Sequence, residues 1–128
     1  MKKAKFVFFV IIVLFCFYSC AQDDDTMSRY DRVIKFRNDY NSRSSSIGTN
    51  IHSSKGGAGN AIAVWDAIFN PGSSTEGITL ASISSGNPVE ATLNCTGYTN
   101  GAIKFDMAED GADNWKITTV TINGSQKF

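Results

Sequence analysis

The chain has 128 residues, with 12 basic and 12 acidic side chains and a formal net charge of zero. That length allows one domain with a modest core. The balance of charge, without clustered Lys or Arg, excludes a nucleic-acid-binding surface.

The first 25 residues, MKKAKFVFFVIIVLFCFYSCAQDDD, have a layout of their own. Lys2, Lys3 and Lys5 lead into an uncharged run from Phe6 to Tyr18, and Ser19-Cys20 follows. The run falls short of the roughly 20 residues that a membrane-spanning helix needs. Basic head, apolar middle and small-residue end are the pattern of a secretory signal peptide. Ser19-Cys20 at the end of that run resembles the lipobox of bacterial lipoproteins, in its relaxed Bacteroidota form. Phe17 and Tyr18 stand where the usual pattern has Leu and a small residue. The resemblance implies acylation of Cys20 as the new N-terminus. The acidic run Asp23, Asp24, Asp25 resembles the short signal that exports lipoproteins of that phylum to the outer face of the outer membrane. A lipid-anchored, outward-facing localisation is therefore expected. Simple cleavage at Ser19-Cys20-Ala21, releasing a chain from Gln22, is the alternative.

On this reading residues 1–19 are the leader, 20–26 a lipidated acidic tether and 27–128 one small domain. Removing 19 of 128 residues leaves 109. The three leader lysines leave 9 basic against 12 acidic residues, a net charge of about −3. Of the cysteines at 16, 20 and 95, only Cys95 remains as a thiol, so no intramolecular disulfide is expected. One cysteine and one histidine, His52, are too few for a Cys/His metal site.

Asp25-Thr26-Met27 resembles the Asp-Ser/Thr-apolar sequon of Bacteroidota O-glycosylation. The competing expectation is that Thr26 caps the next helix. Met27 to Tyr40 reads as that helix, with Tyr30, Val33, Ile34 and Tyr40 on the inner face, Phe36 off the stripe and the charges, Arg32 among them, in solvent. Asp31-Lys35 forms an i, i+4 pair. Residues 41–60 are rich in Ser, Asn and Gly and read as a long loop anchored by Ile47 and Ile51. No acid is placed to orient His52, so a solvated loop histidine is expected. Gly56-Gly57-Ala58-Gly59 lacks the Gly-Lys-Ser/Thr ending of a phosphate loop and reads as a hinge.

Asn60 to Phe69, NAIAVWDAIF, fits a helix capped by Asn60, with Ile62, Trp65, Ile68 and Phe69 on one face. A strand is the alternative, and its alternation would place Asp66 on the apolar face. The period then changes to two. Ile78 to Ser84 is a weak strand. Val89, Ala91, Leu93 and Cys95 point inward, as do Ile103, Phe105 and Met107. Trp115 to Ile122 closes the set, and the three-residue step from Ile117 to Val120 predicts a bulge or two-sided burial. Short connections make a four-stranded antiparallel meander with an apolar face that needs helices on it: an α+β fold of one or two helices on a sheet. Helix-then-sheet order ending in WKITTVTI is similar to the nuclear transport factor 2-like domains.

Asp106, Glu109, Asp110 and Asp113 are the densest oxygen donors, but their spacing is not that of an EF-hand, and an Asp/Gly-rich turn explains them without a metal. Asn94-Cys95-Thr96 and Asn123-Gly124-Ser125 match the N-glycosylation pattern and read as strand and tail. Cys95 is expected as an inert buried thiol. With no acid, base and nucleophile set and no cofactor motif, the expected function is non-enzymatic: a small binding or accessory module with an unidentified extracellular or envelope partner. An immunity or inhibitor protein, and a small hydrolase using Asp66 or His52, are the alternatives.

Overall fold

The computed structural model describes residues 26–71 and 76–128. Cys20 and the run Asp23, Asp24, Asp25 lie outside the described residues. The fold is α+β: among the described residues, two helices and two short 3-10 turns lie on one face of an antiparallel five-stranded sheet.

Helix α1 spans Arg29–Asn41, and Ser28 is its N-cap, accepting from the Asp31 amide. Ser28 rather than Thr26 takes the capping role, because the helix begins two residues later than the first hydroxyl offers. The Ser28 hydroxyl also donates to Asp31 Oδ2, and Lys35 pairs with Asp39 at 2.7 Å rather than with Asp31. The buried face is Arg32, Val33, Phe36 and Tyr40, rotated from the predicted stripe. Tyr30 is left 42% exposed. The rotation brings Phe36 into the aromatic centre, 4.7 Å from Trp65 and 5.8 Å from Phe105 between ring centroids. Edge-on ring packing of this kind outweighs the gain from burying Tyr30.

Residues 42–60 are pinned rather than free. The 3-10 turns Ser45–Asn50 and Ser53–Lys55 carry buried Ile47 and Ile51 to the core as expected. Ile51 bridges Ile117, and the His52 amide donates to the Ile117 carbonyl at 2.9 Å. Helix α2 spans Ile62–Phe69 and buries Trp65 and Phe69. Its N-cap is Ala61, with no side-chain cap. Asn60 is held elsewhere: it lies so close over Gly48 that a Cβ there would come within 1.9 Å of its Oδ1.

Strands β1 (Thr79–Ala81), β2 (Val89–Cys95), β3 (Tyr98–Glu109), β4 (Trp115–Ile122) and β5 (Ser125–Gln126) pair in chain order. Val89, Leu93, Ile103, Phe105 and Met107 face the helices, as their alternation requires. Asp106 pairs with Thr119 and Met107 with Ile117, so Thr118 is an extra residue on β4. This bulge lets Ile117 and Val120 both face the core. The fifth strand is the addition to the predicted four. It follows a tight turn in which Asn123 and Gly124 both have positive φ, 50° and 79°. Asn-Gly suits such a primed hairpin turn. The other face of the sheet lacks a covering layer among the described residues and presents Ala81, Glu90, Ala102 and Lys104 to solvent.

Candidate functional site

Two polar clusters hold the ends of α1. At its C-terminal end, the Tyr40 hydroxyl donates to Asp66 Oδ1 at 2.8 Å and accepts from Asn70 Nδ2 at 2.6 Å. Arg43 grips Asp66 with both terminal nitrogens, each at 2.6 Å. α2 supplies Asp66 and the end of α1 supplies Tyr40, so the cluster ties the two helices together. Arg43 reaches it by an unusual route. The Ser44 amide donates to Asp39 O and the Arg43 amide to Tyr40 O, which is the Schellman closure of a helix. Arg43 fills its left-handed position with φ 59°, where glycine is the usual occupant. The bidentate pair with Asp66 offsets that backbone cost.

The electrostatics follow from these bonds. Arg43, then Tyr40, holds the Asp66 carboxyl below the ordinary aspartate range. Burial, then the hydrogen bond to the Asp66 carboxylate, pushes the Tyr40 phenol up to about 12. Asn70 Oδ1 is buried with no hydrogen-bond partner among the described residues, although its amide nitrogen serves both Tyr40 and the Glu76 carbonyl.

At the N-terminal end, Arg32 is only 1% exposed. Its Nε donates to the Trp115 carbonyl at 2.8 Å and its Nη2 to Asn114 Oδ1 at 2.7 Å. Nη1 faces Asn50 Oδ1 at 3.3 Å and the Thr49 carbonyl at 3.4 Å. This contradicts the expected solvated charge at Arg32. Carbonyl and amide oxygens of two segments, residues 49–50 and 114–115, converge to solvate it, which makes burial of a guanidinium tolerable. Nothing in helix periodicity announces this, since the acceptors come from distant segments. Trp115 is half-buried, and Arg29 lies 4.6 Å over its ring.

His52 caps the second 3-10 turn: Nδ1 accepts from the Ser54 amide at 3.0 Å, and Nε2 lies 3.1 Å from the Glu109 carbonyl. It is half-buried and pinned, not solvated as expected. Beside it, Ser53 donates to Asp110 Oδ1 at 2.7 Å, and Lys116 stands 3.3 Å from Oδ2. These contacts, the Ser53 hydroxyl foremost, lower the Asp110 pKa. Asp66 belongs to the α1–α2 junction and His52 to the β3–β4 turn, so the two hydrolase candidates do not share a site. Among the described residues no three His, Cys, Asp or Glu side chains converge as metal ligands, Asp106, Glu109, Asp110 and Asp113 included. The Cys95 thiol is half-buried, donates to the Phe69 carbonyl at 3.2 Å, and has its pKa raised by burial.

The open sheet face carries a shallow depression of about 250 Å³ lined by Ser82, Glu90, Thr92, Ala102 and Lys104. Thr92 and Ala102 are register partners there. Glu90 and Lys104 pair across it at 2.8 Å, and both remain half or more exposed. Apart from that ion pair its side chains are short, and neither Tyr30 nor Val64, the large apolar side chains left exposed among the described residues, lies on it. Thr26, at the start of the described chain, is exposed. No protein-family model matches the chain, and no curated protein or solved structure matches it.

Proposed function

We propose that this chain is a lipid-anchored, outward-facing module that binds a partner rather than transforming a substrate. Acylation of Cys20 would attach it to the outer membrane, and Asp23, Asp24 and Asp25 would direct it to the exterior. The observation that carries the non-enzymatic part is how the reactive side chains are used. Asp66, His52, Cys95 and Asp110 each spend their hydrogen bonds on holding two segments of the fold together. A general acid or base needs a free reach toward substrate, and none of these four has one. The surface left over is the open face of the sheet. It is rigid because its other side is the core, and its depression offers hydroxyl, carboxylate and ammonium groups to a partner. Thr26 fits the same reading as an accessible glycosylation position, since Ser28 has taken the capping role.

Capture on intact cells tests the binding face. A cell-impermeant crosslinker should join the wild-type chain to a discrete partner. Thr92→Arg or Ala102→Arg should abolish that product, whereas Arg37→Ala on the helix layer should retain it. Loss of the product in none of the three variants would reject the sheet face as the binding surface.

A further inference from the structure

The point where the chain joins the domain is fixed at one end of its longest strand. Met27 pairs with Asn114 as a parallel bridge, its amide donating to the Asp113 carbonyl at 3.1 Å and its carbonyl accepting from Trp115 at 3.2 Å. One helical turn later, Arg32 bonds the carbonyl of the same Trp115. The β3–β4 turn is therefore clasped by the first residues of the domain, and no slack follows Thr26. β3 runs from this turn for 12 residues, Tyr98 to Glu109. An extended strand of that length covers about 36 Å at roughly 3.3 Å per residue. At its far end the β2–β3 turn packs on the end of α2. A Cβ on Gly97 would lie 3.1 Å from Pro71, and Thr96 Oγ1 bonds Glu76 Oε2 at 3.1 Å.

We infer that the anchored domain stands upright, with the β3–β4 turn toward the lipid and the β2–β3 turn outward. The inference rests on the acylation of Cys20 proposed above. Between Cys20 and Thr26 lie the five residues 21–25, and even a fully extended chain of that many residues reaches only about 20 Å. The β3–β4 turn must stay within that reach, while the β2–β3 turn is a strand's length beyond it. Charge gives this pole no attraction of its own to lipid, so the tether alone sets how near it stays. Asp31, Glu109 and Asp113 are exposed around it, Lys116 is turned to Asp110, and Arg29 is stacked on Trp115. Such a pole has no pull toward an anionic lipid surface. In this posture β3 runs along the membrane normal and the open sheet face stands sideways, clear of the lipid and reachable by a partner from outside.

Fluorescence energy transfer to a headgroup-labelled acceptor lipid reads the posture. The acylated chain carrying Cys95→Ser is reconstituted into vesicles, with a donor on Ala112→Cys in one sample and on Thr99→Cys in the other. Both positions are exposed, one at each end of β3. Circular dichroism shows that each labelled variant is folded. Transfer from position 112 should exceed that from position 99 several-fold. Equal transfer, or stronger transfer from 99, overturns the upright posture while leaving the anchor intact. A chain that fails to float with the vesicles overturns the anchor, and the posture with it.

Discussion

The two ends of α1 are held by the same kind of residue in opposite ways. At the N-terminal end Arg32 is buried and donates to carbonyl and amide oxygens of the 3-10 turn and the β3–β4 turn. At the C-terminal end Arg43 is partly in water and pairs with a carboxylate, its side chain 39% exposed and that of Asp66 27%. A buried guanidinium has no water to fall back on, so its acceptors must all be in place. A half-exposed pair exchanges its bonds with water at little loss. The difference teaches that the N-terminal end of the helix is the stiff one and the C-terminal end the forgiving one.

Arg32→Met should break this contrast most severely. It strands Asn114 Oδ1 and the Trp115 carbonyl in the interior, and the expected cost is about 3–5 kcal/mol. Urea denaturation measures it, and a loss under about 0.5 kcal/mol, the size of a surface change, would show that Arg32 is not part of the scaffold. Trp65→Ala removes a fully buried ring that stacks on Phe69 and meets Phe36 edge-on, with a similar expected cost of about 3–5 kcal/mol. Trp115→Ala should cost clearly less, since that ring is half-exposed. Equal urea midpoints for the two tryptophan variants would contradict the burial difference.

Tyr40→Phe is the intermediate case. It deletes the bond to Asp66 and one acceptor of Asn70, at about 1–2 kcal/mol. It should also change the alkaline limb of stability. A phenol raised to about 12 in the folded state leaves its contribution intact below the ordinary tyrosine value of about 10. That contribution is lost as pH climbs from about 10 through about 12, and Tyr40→Phe should flatten the decline. Asp66 acts at the other extreme. Its lowered pKa adds stability above the ordinary aspartate value of about 4, lost as pH falls through the folded value. Thermal melts of Asp66→Asn across that acidic window should show a shallower pH dependence than wild type.

The smallest effect is the most discriminating. Arg43→Gly gives up an exposed ion pair worth about 0–1 kcal/mol. It relieves a left-handed residue by a similar amount, about 1 kcal/mol. Its stability should sit near that of wild type, and Arg43→Ala, which loses the pair without the relief, should be lower by about 1 kcal/mol. Equal stability for Gly and Ala would mean that the Schellman position carries no strain.

Much of the fold was legible because its signals are local. Alternation located β2, β3 and β4, and the step from Ile117 to Val120 announced the bulge at Thr118. The Asn123-Gly124 turn was legible too, as a hairpin signal, and reading it as tail missed β5. What escaped were contacts between residues far apart in the chain. Arg32 sits on a helix face that periodicity assigns to solvent, and its acceptors lie 17 to 83 residues away. The cap of α1 was misplaced by two residues, since Thr26 and Ser28 offer the same hydroxyl chemistry. The Arg43–Asp66 clasp depends on a helix ending without glycine, which no local pattern flags. Candidate sites fared similarly. Asp66 was read as a hydrolase candidate, and its partners Tyr40 and Arg43 make it a fastener between helices.

The proposal of an upright, partner-binding module rests first on attachment of the chain to lipid. Mass spectrometry of the mature N-terminus, with membrane fractionation of wild type and Cys20→Ala, tests it most directly. An acylated Cys20 in the membrane fraction, and a soluble Cys20→Ala chain, are the expected results. A mature chain beginning at Gln22, with the Cys20→Ala protein distributed like wild type, would contradict the account.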